Sequence, residues 1–354
     1  MFARMARVEG TPQYEDYYSQ KPELKKTDDS LRAMTPLFEP GGLYYDEELC
    51  AEADNLYEAI YSVEPDKELA EKFARRLDGP GNKNKSLGVM ARRLGAVDVG
   101  FAPMDEALLY SVKGRLDEDY GRIITPHHPS AIVFLVEMDF EAMRSAPQAE
   151  AVLESARCYY KAAVIAKTLE AALTRAGWKA LAHYDAHYEM ILPPLAVLAG
   201  LGEVGRHNIL ISRRYGSRVR IGAVTTDCPV AWDKPRSIGA RHFCGLCGKC
   251  SDNCPPAALS DGEPEEIRGV FKWPTNVVKC HRFWRVAGTD CGICMASCPF
   301  SHKNTLFHNF IRWLVKHFEW FHAPALLFDD LIYGRKWKQK GKRRKTTVVG
   351  SCGR

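Results

Sequence analysis

The sequence lacks any apolar segment that would lead the chain out of the cell or hold it in a bilayer. Its start, M-F-A-R-M-A-R-V-E-G, contains no apolar h-region. Arg-Arg pairs at 75–76, 92–93 and 213–214 lie too deep to open a twin-arginine leader. The longest apolar zone, Phe310 to Ile332, is interrupted by Arg312, Lys316, Glu319, Asp329 and Asp330, so it cannot span a membrane as a helix. There is no C-x-x-C-H for covalent haem, and no internal repeat beyond two cysteine runs. These absences predict a cytoplasmic protein whose cysteines stay reduced rather than pair as disulfides.

What is present is an ordinary globular composition with one exception. The 354 residues are 46% hydrophobic and 26% charged, enough for one large or two ordinary domains with a sizeable core. The net charge of +5 is unevenly spread: from Ser301 onward 12 Lys/Arg face 3 Asp/Glu, a balance of +9 that leaves 5 − 9 = −4 for the rest. The run from Lys336 to Lys345 reads as a solvated end rather than a nucleic-acid site. If it binds anything, an acidic electron donor suits it, because opposite patches steer association.

The exception is cysteine, at 12 residues. Cys244, Cys247, Cys250 and Cys254, followed by Pro255, have the spacing by which bacterial ferredoxins hold a 4Fe–4S cluster, the fourth cysteine serving a second cluster. Cys291, Cys294 and Cys298, followed by Pro299, repeat the ending, and Cys280 supplies the missing ligand. Zinc needs neither four cysteines per run nor the trailing proline. The crossover rule groups Cys244, Cys247, Cys250 and Cys298 around one cluster and Cys254, Cys280, Cys291 and Cys294 around the other. Cys50, Cys158, Cys228 and Cys352 have no ligand spacing and read as isolated thiols.

Along the chain, residues 1–45 read as an irregular surface segment. Residues 46–236 read as an α+β core, 237–303 as a ferredoxin-like domain, and 304–354 as an extension with the basic tail. Within the core, Asp46 to Leu77 is helical, a second helix runs from about Lys83 to Leu94, and Ala131 to Val136 is an apolar strand buried on both faces. Ser145-Ala-Pro-Gln148 looks like a capping box opening a long helix that Gly177 stops. Strands follow at Trp178–His183, Asn208–Ser212 and Arg218–Val224. The glycine-rich run Ala199 to Gly205 lacks the strand-first context of a dinucleotide fingerprint. It reads either as a tight loop or as backbone that admits a flat group.

Residues 199–227, A-G-L-G-E-V-G-R-H-N-I-L-I-S-R-R-Y-G-S-R-V-R-I-G-A-V-T-T-D, resemble the corrinoid-dependent reductive dehalogenases. So does W-R-V-A-G-T-D-C-G-I-C-M-A-S-C-P-F-S-H, residues 284–302, and the N-terminal G-T-P-x-Y-x-D-Y-Y extends the match. The epoxyqueuosine reductases share the glycine loop and the double cluster.

The resemblance implies a base-off cobalamin held by a nitroreductase-like α/β core next to the cluster domain. The absence of D-x-H-x-x-G agrees with the base-off state. It implies corrinoid binding by His187, Tyr188, Gly200, Leu201, Gly202, Gly205, Arg206, His207 and Asn208. It also implies proton delivery by Tyr159, or by Tyr160 as the fallback, assisted by Arg220. On pattern alone Tyr159 is a core tyrosine, and Arg220, between Val219 and Ile221, faces water.

The expected substrate is a small organohalide and the donor a ferredoxin or flavodoxin, with homodimerisation open and neither a membrane span nor nucleic acid involved. The alternatives are an epoxyqueuosine reductase-like enzyme and a non-catalytic electron carrier, though the latter needs far less chain ahead of its clusters.

Overall fold

The computed structural model describes residues 1–79, 81–115, 119–126, 128–267 and 270–339. The N-terminal segment is helical rather than irregular: α1 (Phe2–Met5), α2 (Pro12–Gln20) and α3 (Pro22–Arg32). Thr11 caps α2 by accepting from the Tyr14 amide at 3.3 Å, with Pro12 in the first turn. Buried Asp28 accepts from Arg4 at 2.9 and 2.5 Å and from the Tyr18 hydroxyl at 2.9 Å, which ties the three helices together. The chain then crosses residues 286–288 through Phe38 N to Gly288 O (3.1 Å) and Tyr44 N to Ala287 O (2.9 Å).

The helix expected over 46–77 is two, α4 (Glu47–Ala59) and α5 (Lys67–Asp78), capped by Asp46 and Asp66. Pro65 lies in the break between them, since proline cannot continue the hydrogen-bond ladder. Next come α6 (Lys83–Arg93), β1 (Asp98–Pro103), β2 (Ser130–Glu137), α7 (Phe140–Met143) and α8 (Ala149–Arg175). Ser145 does not cap α8. Its hydroxyl donates back to Ala142 O at 2.6 Å, and Gln148 is an N-cap without a side-chain bond. The core ends with β3 (Ala180–His183), α9 (Leu192–Leu198), β4 (Gly202–Val204), β5 (Leu210–Ser212) and β6 (Val219–Thr226).

Strands β1-β2-β6-β3 form one sheet with antiparallel neighbours. Ile132, Phe134 and Val136 pack against α8, while Ala131, Val133 and Leu135 pack with Leu195 and Ala196 of α9. Both faces are therefore covered, which is why β2 is an unbroken apolar run. The fold is α+β.

The cysteine segment contributes α10 (Ala240–Cys247), α11 (Lys249–Asp252), β7 (Glu265–Ile267), β8 (Val270–Lys272), α12 (Val277–Ala287) and α13 (Ile293–Ala296). Helices α14 (Leu306–His317) and α15 (His322–Tyr333) follow. Phe243, Phe300, Val315 and Ala325 share a core with Ile211, so this segment is packed onto the β4–β5 hairpin. Gly216, at a φ of +58°, sits so close to the Phe300 backbone that a Cβ there would collide with it.

Candidate active site

Ser155 and Tyr159 lie four residues apart on α8 and so share a face. Strand alternation puts Arg220 on the α8 side of β6, while Val219 and Ile221 turn to the opposite core. Arg220 therefore faces Tyr159 rather than water. Its guanidinium sits over the Tyr159 ring, 4.5 Å from the centroid. Its Nη2 donates to Ser155 Oγ at 2.6 Å and to Asp290 Oδ2 at 3.3 Å, and Ser155 Oγ also donates to Asp290 at 3.0 Å. Asp290 comes from the turn between α12 and α13, so this one cluster joins helix, sheet and cysteine segment.

These four residues line a cavity of about 860 Å³, together with Tyr57, Trp284 and other apolar side chains. Its size is at the upper end for ligand sites, and its mostly apolar wall suits a large flat group. Burial pushes the Tyr159 phenol up to about 12, with the Arg220 charge working against that rise. Burial opposes the Arg220 charge, but Tyr159 and Asp290 together hold its pKa above the ordinary value. Arg220 Nε is buried without a hydrogen-bond partner among the described residues. The same is true of His207 Nε2, at the cavity edge. Two unsatisfied buried donors at one cavity are what a polar ligand edge would satisfy.

The remaining expected residues divide. Tyr160 is partly buried against the core and does not line the cavity. Of the 200–208 run, His207 and Asn208 reach the cavity, and Gly200, Leu201, Gly202 and Gly205 do not. Gly202 belongs to β4, where a Cβ would collide with the Ile211 carbonyl across the hairpin. Arg206 turns the other way. It donates to Cys244 O (3.1 Å), Ser260 O (3.0 Å) and Gly262 O (2.9 Å), fastening the hairpin to the cysteine segment. Burial lowers His207 to about 4, so its ring is neutral. Its Nδ1 accepts from the Ile209 amide at 3.2 Å, which leaves the proton on Nε2.

His187 and Tyr188 also miss the cavity. His187 lies against the rings of Tyr184 (4.8 Å) and Tyr61 (5.6 Å), and burial lowers its pKa. Tyr188 lies beside Tyr110 at 6.0 Å. The cavity residues in that stretch are Asp185, paired with Arg115 at 3.0 Å, and Ala186. Ala186, between Asp185 and His187, takes a left-handed φ of +65° and turns the chain between them. Sequence reasoning missed Asp185 because a backbone reversal at alanine leaves no residue signal.

The eight cysteines line two separate hollows. Cys254, Cys280, Cys291 and Cys294 line the large cavity beside Asp290. Cys244, Cys247, Cys250 and Cys298 line a separate small hollow with Arg206 and His207. No three described His, Cys, Asp or Glu side chains converge on a single-ion site; in a cubane each thiolate binds a different iron.

No protein-family model matches the chain. Over 276 residues it is 32% identical to a tetrachloroethene reductive dehalogenase of Desulfitobacterium hafniense, covering 65% of this chain and 50% of that protein. A solved reductive dehalogenase structure, one that suggests a mechanism for B12-dependent dehalogenation, superposes with a TM-score of 0.68. That match has 26% identity and covers 87% of this chain and 46% of the other. The chain is a homologue of the reductive dehalogenases. An epoxyqueuosine reductase of Lactococcus garvieae is 33% identical, but over 120 residues that cover 32% of this chain and 33% of that protein. The chain spans about half the length of the tetrachloroethene reductive dehalogenases it matches. Among the described residues, no helix of this dehalogenase homologue is long and apolar enough to cross a membrane.

Proposed function

We propose that the chain is a cytoplasmic reductive dehalogenase core. In this reading a nitroreductase-like α+β sandwich binds a base-off cobalamin, and a ferredoxin-like segment carries two 4Fe–4S clusters. The observation that supports it best is that one cavity joins a partly buried tyrosine, a guanidinium over its ring, two unsatisfied donors and four cysteines of one expected ligand set. The residues fit the implied groups. His207 and Asn208 would contact the corrinoid. Cys254, Cys280, Cys291 and Cys294 would hold the cluster nearest it, and Cys244, Cys247, Cys250 and Cys298 the outer cluster, fed by a ferredoxin or flavodoxin.

When bound, a corrinoid beside iron–sulfur clusters would supply the electrons for cleaving a carbon–halogen bond. The protein's part is the proton. Tyr159 donates its hydroxyl proton to the carbon that loses halide, and Arg220 stabilises the phenolate left behind. Asp290 and Ser155 fix the guanidinium over the ring, so this stabilisation needs no rearrangement at the moment of transfer.

A second reading, a corrinoid iron–sulfur reductase of a non-halogenated substrate, is favoured by one observation, the carboxylate of Asp185 at the cavity. A plain electron carrier has no use for such a cavity. The experiment is anaerobic cluster reconstitution, addition of cobalamin, and halide release driven by reduced viologen from tetrachloroethene and a brominated phenol. Corrinoid retention with halide release is expected. Failure to retain corrinoid sinks both enzyme readings, and retention without halide release from any substrate favours the second.

A further inference from the structure

Helices α14 and α15 carry their polarity inside out. Arg312 points inward and donates to Phe300 O at 3.0 Å and Asn309 Oδ1 at 2.9 Å. His322, also buried, is bonded through Nε2 to Val315 O at 2.7 Å. Much of what faces water is apolar, beside the exposed Lys316, His317 and Glu319: Leu306 is 91% exposed, Trp320 between the helices 72%, Leu327 71% and Leu331 81%. A helix that faces only water shows the reverse pattern. Between the two helices runs an apolar groove of about 380 Å³ to which Phe310 and Phe328 contribute. The hairpin is rigidly held, because α15 is anchored by the ion pairs of Asp329 and Asp330 to Lys249 beside Cys250.

We propose that this face is a docking surface for an anionic phospholipid membrane, on which the hairpin lies flat. Each helix has 12 residues, about 18 Å of length against roughly 30 Å of hydrocarbon, so neither can span. Trp313, Trp320 and the phenylalanines are the side chains that settle at a lipid–water boundary. Charge selects the lipid: Lys316 is exposed on α14, the sequence from 301 to 354 carries 12 Lys/Arg against 3 Asp/Glu, and basic residues are drawn to anionic headgroups. The positive excess of residues 301–354 works against pairing with a second copy of the chain. An acidic protein would answer the charge but leave the apolar face uncovered. The inference does not depend on the catalytic reading.

The test is co-sedimentation of the full, cluster-reconstituted chain with vesicles of phosphatidylcholine alone and of phosphatidylcholine with phosphatidylglycerol. Binding to the anionic vesicles is expected, weakening as salt rises and accompanied by a blue shift of tryptophan emission. Trp320→Glu combined with Leu331→Glu, both at exposed positions, should weaken partition about a hundredfold while the cluster absorption stays unchanged. Replacing Lys342, Arg343, Arg344 and Lys345 by Gln should weaken it about fivefold for each residue that reaches the headgroups. Equal affinity for neutral vesicles, no binding at all, or an unaffected double variant overturns the proposal. So does a lipid-free dimer that the double variant disperses, which would assign the face to self-association.

Discussion

Replacing Arg220 by Met removes the cation over the Tyr159 ring, with one consequence for proton transfer and one for stability. The first concerns proton transfer. A unit charge about 5 Å from the phenol oxygen, at an effective dielectric of about 20, contributes roughly 3 kcal/mol, or about two pKa units. Tyr159, already at about 12, becomes a still weaker acid, and halide-coupled turnover should fall a hundredfold or more. The second concerns stability. Asp290 keeps Ser155 but loses its counter-charge inside the protein, and an unpaired buried charge costs about 3–5 kcal/mol. With an unfolding entropy of about 2.1 cal/mol/K per residue, a chain of 354 residues should melt roughly 4–7 °C lower. Adding Asp290→Asn removes the stranded charge, so the double variant should recover most of the melting temperature and none of the turnover. Thermal melts and single-turnover halide release, with cluster absorption as the control, read both effects. Recovery of turnover along with stability would refute the reasoning, because Arg220 would then serve packing alone.

Tyr159→Phe should abolish halide release while iron and corrinoid are retained. Tyr160→Phe, at a site off the cavity, should stay within about threefold; the opposite outcome moves the proton donor. Tyr159 also predicts an alkaline weakening. Its folded value of about 12 lies above the unfolded 10, so the unfolded state loses its proton first and stability falls as pH rises from 10 through 12. The loss should be about 1.4 kcal/mol by pH 11, and urea midpoints at pH 9 and 11 should show a smaller drop in Tyr159→Phe. Cys254→Ala and Cys298→Ala should each remove about half the iron, with different EPR signals surviving. Loss of the same signal in both would contradict the grouping of the cysteines.

The parts of this architecture that sequence predicts are those dictated by local chemistry. The unbroken apolar run of β2 reflects burial on both faces of a sheet, and the helical spacing of α8 reflects packing on one of them. The N-terminal helices were equally local, announced by Thr11 before Pro12. By pattern residues 1–45 read as an irregular surface segment, whereas Asp28 is buried and holds Arg4 and Tyr18 in place.

The site was less accessible to pattern, because its decisive relations are non-local. Arg220 reads as a solvent-facing strand residue until α8 is laid across the α8 side of the sheet, and Asp290 reads as the acidic neighbour of a ligand cysteine. Only the fold brings the two together with Ser155, 65 residues from Arg220 and 135 from Asp290. The glycine run misleads for the same reason. Its closest constraint at Gly202 is the opposite strand of its own hairpin, not a ligand, so glycine spacing marks a tight backbone approach without saying what approaches. The large cavity lies where that hairpin's His207 and Asn208, the α8 face and the second cysteine set meet. A site built from three distant segments is set by the way they pack, so the pattern within any one segment identifies its contributors only in part.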